Sequence, residues 1–435
     1  MKPLEEYTAR QQRWSTELAR VLRRQHILGN ARLAAGLAMA GVAAAALGSA
    51  WISPWWLLAP GVALLVMAIL HPRSVREAQR AARSTAFYDM GLARLENRWA
   101  GKGRQGEELR DPRHKYADDL DLFGRGSLFE LLSTARTATG ERTLAAWLLV
   151  PGPHAEVVTR QEAVRELAPK LDLREDLAVI GEDIRSALDD RRLAGWGSRP
   201  VVAFFTGARI IAAILAVAAA VAAMSWMSGK TTLRPFFYVA VLEILFAMAI
   251  RKPLGEVTEA VNTPARELRL IALLLERLER EPATSPALVA LRDRLRLAGG
   301  RATEQIRRLE RLVEWMEWAH NQIFAVVAAP LLWTPQFAMA IEKWRLHCGP
   351  HIGDWIAAVG EFEALGSFAA FLYEHPGATF PELLVEPQPH YEASGLLHPL
   401  IAPQEAVAND VALGEDSRLW IVSGSNMSGK STLLR

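Results

Sequence analysis

One cysteine, Cys348, stands in a chain of 435 residues. A lone thiol excludes an intrachain disulfide, a cysteine-built metal site and a dithiol redox pair. The histidines are scattered without the spacing of metal ligands, and no Ser-His-Asp or Cys-His arrangement is present to make a nucleophile. Charge of one sign is also missing. Fifty Lys and Arg face 48 Asp and Glu, a formal net charge of +2. Domains that grip duplex DNA ordinarily carry a strong basic stripe, and the overall balance shows none. Acidic and basic residues are interleaved, most visibly over 266–317, as on solvated helix faces.

Long uncharged runs are present instead. Residues 34–52 and 55–70 carry no Asp, Glu, Lys or Arg, and Ser53-Pro54 separates them. Each approaches the roughly 20 residues that cross a hydrocarbon core. Trp51, Trp55 and Trp56 cluster at the turn, where an aromatic belt would lie. Arg20, Arg23, Arg24 and Arg32 precede the pair, and Arg73, Arg76, Arg80 and Arg83 follow it, while the turn has no basic residue. By the positive-inside rule both ends are cytoplasmic. A cleaved signal peptide fits poorly, because a second apolar run follows the first at once.

A second pair, 210–227 and 236–250, is a weaker candidate for a membrane hairpin. Lys230 and Arg234 lie in its turn and Glu243 lies within its second run. The alternative is a buried soluble helix pair, with Glu243 facing a neighbouring helix. A third uncharged run, 323–341, contains Pro330 and Pro335 and reads as soluble core. The stretch 3–25 reads as an Arg-rich amphipathic helix, either along a leaflet or simply solvated. Gly101-Lys102-Gly103-Arg104-Gln105-Gly106 reads as a flexible linker. Over 304–320, Ile306, Leu309, Leu312-Val313 and Met316 recur at helical spacing, and Trp315 and Trp318 are expected to add bulk to that packing.

Near the C-terminus, Gly424-Ser425-Asn426-Met427-Ser428-Gly429-Lys430-Ser431 fits the phosphate-binding pattern G-x-x-x-x-G-K-[ST], and Thr432 follows. Leu419-Trp420-Ile421-Val422 before it reads as a buried strand. Strand, glycine loop and helix start together let backbone N–H groups face phosphate oxygens at a helix N-terminus. Lys430 is then expected on the β/γ-phosphates and the Ser431 hydroxyl on Mg²⁺. No acidic metal partner or water-orienting residue follows before Arg435. The expectation is therefore a fragment or truncated product of a longer nucleotide-binding protein, with no catalytic residue in this chain. Gly229-Lys230-Thr231 is a decoy: Met224 stands where the first glycine would be needed, and the segment reads as a turn. Residues 388–422, with short apolar runs among Gly, Pro and Asn, suit opening strands of an α/β domain.

The wording of the loop resembles the MutS family of DNA mismatch-repair ATPases. His398-Pro399-Leu400 with Asn409-Asp410 resembles the start of that family's ATPase domain. Asp119-Leu120-Asp121-Leu122-Phe123-Gly124 resembles the start of its core, with Gly126 to Leu132, then Thr137, Gly140, Arg142, Leu144 and Trp147-Leu148, then Arg160 to Val164. Glu361-Phe362-Glu363-Ala364-Leu365 resembles a helix before the ATPase domain in membrane-bound MutS-like proteins. The likeness covers about 115–200 and 255–435. It departs where true MutS reads mismatches: no Phe-x-Glu wedge precedes Asp119, and Phe87-Tyr88-Asp89 is the nearest approach. An apolar hairpin also stands where the family's DNA clamp would interrupt the core.

The resemblance implies ATP and Mg²⁺ as cofactors, ATP hydrolysis, a homodimer through paired ATPase domains, and possible contact with DNA. The fold expected is mainly α: transmembrane hairpins and a MutS-type helical core or lever, followed by the start of an α/β P-loop ATPase domain. The parts fall at 1–30 (basic helix), 31–72 (first hairpin), 73–115 (connector), 116–200 (core, first part), 201–252 (second hairpin), 253–384 (core and lever) and 385–435 (incomplete ATPase domain). The expected location is a bacterial-type inner membrane, with membrane lipid as partner and the core and P-loop cytoplasmic. Two rivals are a transporter of the ATP-driven exporter type and a membrane scaffold without ATPase activity. The exporter loop normally reads Gly-x-x-Gly-x-Gly-Lys, unlike Asn426-Met427-Ser428 here.

Overall fold

The computed structural model describes residues 2–48, 53–185, 188–297, 300–385, 390–414, 417–423 and 429–434. The described chain is mainly helical. In order come α1 (Pro3–Gly48), α2 (Leu58–Leu95), α3 (Leu128–Leu132), α4 (Ala138–Leu149), α5 (His154–Leu167), α6 (Leu171–Arg185) and α7 (Asp190–Gly197). Then follow α8 (Ala208–Met227), α9 (Arg234–Arg280), α10 (Pro286–Arg294) and the two-residue strands β1 (Arg296–Leu297) and β2 (Gly300–Arg301). Last are α11 (Ala302–Trp318), α12 (Gln322–Ala328), α13 (Trp333–Cys348), α14 (Ile352–Glu374), β3 (Tyr391–Leu396), β4 (Asn409–Leu413) and α15 (Lys430–Leu434). The helices α1, α2 and α9 run unbroken through residues 30, 72 and 252, because polarity changes there while the backbone stays helical.

Two compact units divide the chain. The first comprises Met1–Thr134, Ala168–Val179 and Phe368–Arg435. Its α1 and α2 form an antiparallel pair: Tyr7 meets Tyr88 edge to face with ring centroids 5.6 Å apart, and Gln25 donates to the Ser74 carbonyl at 2.9 Å. Away from the turn this pair closes an apolar cluster of Tyr7, Phe87, Tyr88, Leu171 and Ala178, with Trp14 and Tyr373 against it. The stretch 3–25 is therefore neither a leaflet helix nor fully solvated. One of its faces is core, and Tyr7 is 1% exposed. The glycine loop 101–106 is not a free linker either, since the Gly103 N–H donates to the Glu130 carboxylate at 2.9 Å.

The second unit comprises Ala135–Leu167 and Ile180–Ser367. Its spine is α9, 47 residues long. Glu243, Ile250, Val257, Pro264, Ile271 and Leu278 are all buried at seven-residue intervals, and Val261, Leu268 and Leu275 sit between them. Such a stripe fits packing against neighbouring helices at a coiled-coil-like angle. The buried residues Ile306, Leu309, Val313 and Met316 of α11 recur as the sequence spacing predicts. Beside α9, the buried residues of α8 are Ala208, Ala212, Ala216 and Ala219, small side chains that let two helices approach closely. Gly229 turns the chain between these helices at φ +71°, as expected of the decoy segment.

Four helical stretches among the described residues are long and apolar enough to cross a membrane: Pro3–Ala46, Trp55–Leu95, Ala208–Met227 and Trp333–Glu374. Burial separates them. The apolar windows of the first two are 0% buried and that of the third is 17% buried, whereas that of the fourth is 67% buried. The second run of the weaker hairpin, 236–250, is not among the four, yet Tyr238, Ile244 and Met248 on it are 71%, 59% and 68% exposed. Run 323–341 behaves as core mainly in its second half, with Ala328 also buried. Pro335, Ala338, Met339 and Ile341 are buried, while Val326 and Val327 are exposed. Trp315 and Trp318, expected to fill the packing, are also exposed.

Candidate functional site

The hairpin β3–β4 and the start of α15 line one cleft of about 580 Å³. Tyr391 pairs with Leu413 and Leu396 with Asn409, with an irregularity in register between Ala393 and Leu396. Asp410 fixes this irregularity by accepting from the Gly395 N–H at 2.7 Å, and Asn409 donates to the Val407 carbonyl at 2.9 Å. The Asn409-Asp410 pair therefore shapes the hairpin. Leu396, Leu397, Pro399, Ile401 and Val407 give the cleft an apolar side. Asn409, Ser423, Lys430 and Thr432 give it a polar one, with Glu405 also in its wall.

Gly429 has φ +83°, in the left-handed region where only glycine is comfortable. Among the described residues, its chain neighbours aside, no atom lies within 4 Å of where its Cβ would be. Lys430 is the first residue of α15, whose opening turn is set by the Leu433 N–H donating to the Gly429 carbonyl at 3.0 Å. The structure thus places Gly429, Lys430 and Thr432 together at the cleft. Ser431 lies between them on α15. Gly424, Ser425, Asn426, Met427 and Ser428 lie outside the described residues. The expected strand 419–422 is not formed: residues 417–423 are irregular, with Leu419 77% and Ile421 85% exposed. Among the described residues β3 and β4 pair only with each other, and the segment 417–423 joins neither of them. No cluster of three or more His, Cys, Asp or Glu that could hold a metal ion occurs among the described residues.

A second arrangement joins sequence signals far apart in the chain. Glu363 on α14 accepts from the backbone N–H groups of Arg136 at 3.0 Å and Thr137 at 3.2 Å, and from the Thr137 hydroxyl. Thr137 in turn caps α4, accepting from the Gly140 N–H at 3.0 Å. The buried carboxylate therefore sits against the N-terminus of α4, where the helix dipole favours negative charge. A Cβ on Gly140 would come within 2.2 Å of the Glu363 carboxylate, so glycine is required by the close approach. Arg142 pairs with Asp190, Leu144 is fully buried, and the Arg160 guanidinium lies 3.8 Å from the Trp147 ring centroid.

Burial pushes the Glu363 carboxyl up to about 7, against the opposing pull of its three donors. A carboxyl raised in the fold above its ordinary 4.5 stabilises the native state most below pH 4.5, and that stability is lost as pH rises through 7. The difference corresponds to about 3 kcal/mol. The melting temperature in detergent is expected to fall between pH 5 and pH 8. Glu363→Gln should lower the baseline but flatten this slope. An unchanged slope in the variant would assign the pH dependence to other groups.

Charged contacts within the first unit were missed by sequence reasoning. Arg94 donates from Nε to Glu374 at 2.7 Å and pairs with it again through its terminal nitrogen, both side chains being buried. Tyr7 donates to the same carboxylate at 3.2 Å. Tyr88 and Ser84 donate to Glu175. Their separations of 87 to 367 residues leave no local pattern to read.

No family model matches the chain, and no solved structure matches it. Over 79 residues, 18% of this chain, it is 34% identical to the endonuclease MutS2 of Lactiplantibacillus plantarum (strain ATCC BAA-793 / NCIMB 8826 / WCFS1). That stretch is 10% of the relative's own length. The similarity is consistent with a relation to the MutS family, at most, within those residues.

Proposed function

We propose that this chain is a membrane-anchored, MutS-like nucleotide-binding protein whose cleft between β3–β4 and α15 takes ATP. The observation that carries the reading is Gly429 in the left-handed conformation with Lys430 opening a helix at the polar side of that cleft. A phosphate loop needs this conformation so that its backbone N–H groups and lysine converge on phosphate. The residues fit the group. Gly429 leaves room for close approach, Lys430 would meet the β/γ-phosphates, and the apolar wall of Leu396, Ile401 and Val407 suits a base. Mg²⁺ would be held by the Ser431 hydroxyl. When bound, ATP with its metal supplies the phosphoryl group whose transfer to water is the family's reaction. The chain's own contribution is to bind and orient the phosphates.

Anchoring rests on the exposure of the apolar runs. Leu33, Leu37, Val62, Leu65 and Ile69 on α1 and α2 are each more than half exposed, and Ile210, Ile214 and Val217 on α8 likewise. Exposed apolar patches larger than a few hundred Å² are uncommon on soluble monomers, and a hydrocarbon layer covers such faces. The core and cleft are cytoplasmic in this reading, DNA is the macromolecular ligand sensed, and a second copy completes the nucleotide site. Cells are expected to retain the chain in membranes washed with alkaline carbonate. Its release into the supernatant would defeat the anchoring.

A further inference from the structure

From Trp318 to Ile341 the chain has no Asp, Glu, Lys or Arg. The second half of this run is packed: Leu332 and Met339 share one apolar cluster with Ala208 and Ala212 of α8 and with Phe246 and Ile250 of α9. In the first half Ala328 is buried but two valines are not. On α12, Val326 is 77% and Val327 51% exposed, and Trp318 beside it is 58% exposed. A chain of rings links the two halves. Trp318 meets Phe324 at 6.1 Å, Phe324 meets Trp333 at 5.0 Å, and Trp333 meets Phe337 at 4.8 Å. Trp333 follows Leu332 directly, so this aromatic ledge begins at the base of the α8–α9 pair.

We propose that the ledge formed by α12 with Trp315 and Trp318 lies in the interfacial layer of a lipid bilayer, as a membrane contact separate from either hairpin. The inference rests on the anchoring of α8 and α9. Three observations favour lipid as the occupant. The ledge is continuous, through Leu332 and Met339, with the start of α8, whose Ile210 and Ile214 are 67% and 61% exposed. Tryptophan rings, apolar in body with one N–H, prefer the water–hydrocarbon boundary. Basic residues stand in sequence beside the same cluster: Arg209 follows Ala208, and Arg251-Lys252 follow Ile250. Cations at that level suit anionic headgroups. The short helix therefore wedges apolar side chains shallowly into the leaflet while its polar neighbours His320, Asn321 and Gln322 remain in the headgroup layer.

Cys348 is buried and is the chain's only cysteine. A Cys348→Ala background therefore leaves a single introduced thiol for labelling. Full-length protein carrying Val327→Cys is labelled with an environment-sensitive fluorophore in vesicles of phosphatidylethanolamine and phosphatidylglycerol. Ile214→Cys on α8 reports the anchoring itself, and Val150→Cys, on an exposed valine after α4, reports water. The probe at Val327 is expected to shift to the blue, to be quenched by nitroxide-bearing lipid, and to lose the iodide quenching seen at Val150. Quenching by lipid at Ile214 but not at Val327 overturns the ledge alone. Silence at both positions overturns the anchoring and the ledge together. Protection from iodide at Val327 without lipid quenching shows a protein surface over the ledge, and equally overturns the proposal. Val326→Cys repeats the measurement should Val327→Cys fail to fold.

Discussion

Arg94→Met is expected to destabilise the first unit by about 3–5 kcal/mol, because it leaves the Glu374 carboxylate buried without its cation. Arg94 is 7% and Glu374 4% exposed, so neither charge can turn to water when its partner goes. Burial works against the Arg94 charge, yet Glu374 outweighs it and holds the guanidinium protonated above its usual range. Tyr7 is affected in the same network. Burial first, and then the Glu374 charge, push its phenol well above the usual value, so its proton stays to be donated. Glu374→Met should cost about as much, for the reciprocal reason. The double variant Arg94→Met with Glu374→Met is expected to recover much of the loss, since two apolar side chains of similar volume replace a buried pair. Denaturation midpoints of the four proteins in detergent measure this. Additive losses in the double variant would show that the two groups do not act as a pair.

Lys430→Ala carries the other large effect. It should lower ATP turnover by the full-length protein by at least about 100-fold, since a cation is lost where charge redistributes over the phosphates as the phosphoryl group is transferred. Binding of a fluorescent ATP analogue to the present chain should weaken in parallel, while membrane retention stays unchanged. Ser431→Ala should act through the metal instead, so that excess Mg²⁺ partly restores binding. Equal turnover and affinity in wild type and Lys430→Ala would remove Gly429 and Lys430 from the nucleotide site.

Local patterns were legible in the sequence where local physics decides them. The spacing of Ile306, Leu309, Val313 and Met316 placed the buried face of α11, and the uncharged runs placed the exposed faces of α1, α2 and α8. Motif order was informative as well. Thr137, Gly140 and Glu363, singled out on separate stretches, meet at one helix N-terminus. Three readings failed for one shared reason: composition does not reveal the neighbour. Leu419 to Val422 have the apolar character of a strand, but among the described residues no strand pairs with them. Trp315 and Trp318 are bulky enough for a core, but each is covered only in part, leaving them 45% and 58% exposed. The loop with Gly103 has the composition of a linker, and the carboxylate that pins it belongs to Glu130 on α3. Of the candidate site, the left-handed turn at Gly429 was readable, because the glycine requirement is local. The apolar wall of the cleft, set by the folding back of β3 on β4, was not.

The seven-residue stripe along α9 has a mechanical consequence. At 1.5 Å per residue this helix is about 70 Å long, and Ile250, beside α8, and Val257, which continues the stripe towards the α11 side, belong to the same series. The two ends are therefore locked in phase. One residue inserted between 251 and 256 would turn the upper face by about 100° against the lower one, whereas seven would bring them back into step. A twist imposed at either end has no loop in which to dissipate. The helix thus couples its two ends as a torsion bar, softened at Pro253 and Pro264, each of which removes a ladder hydrogen bond.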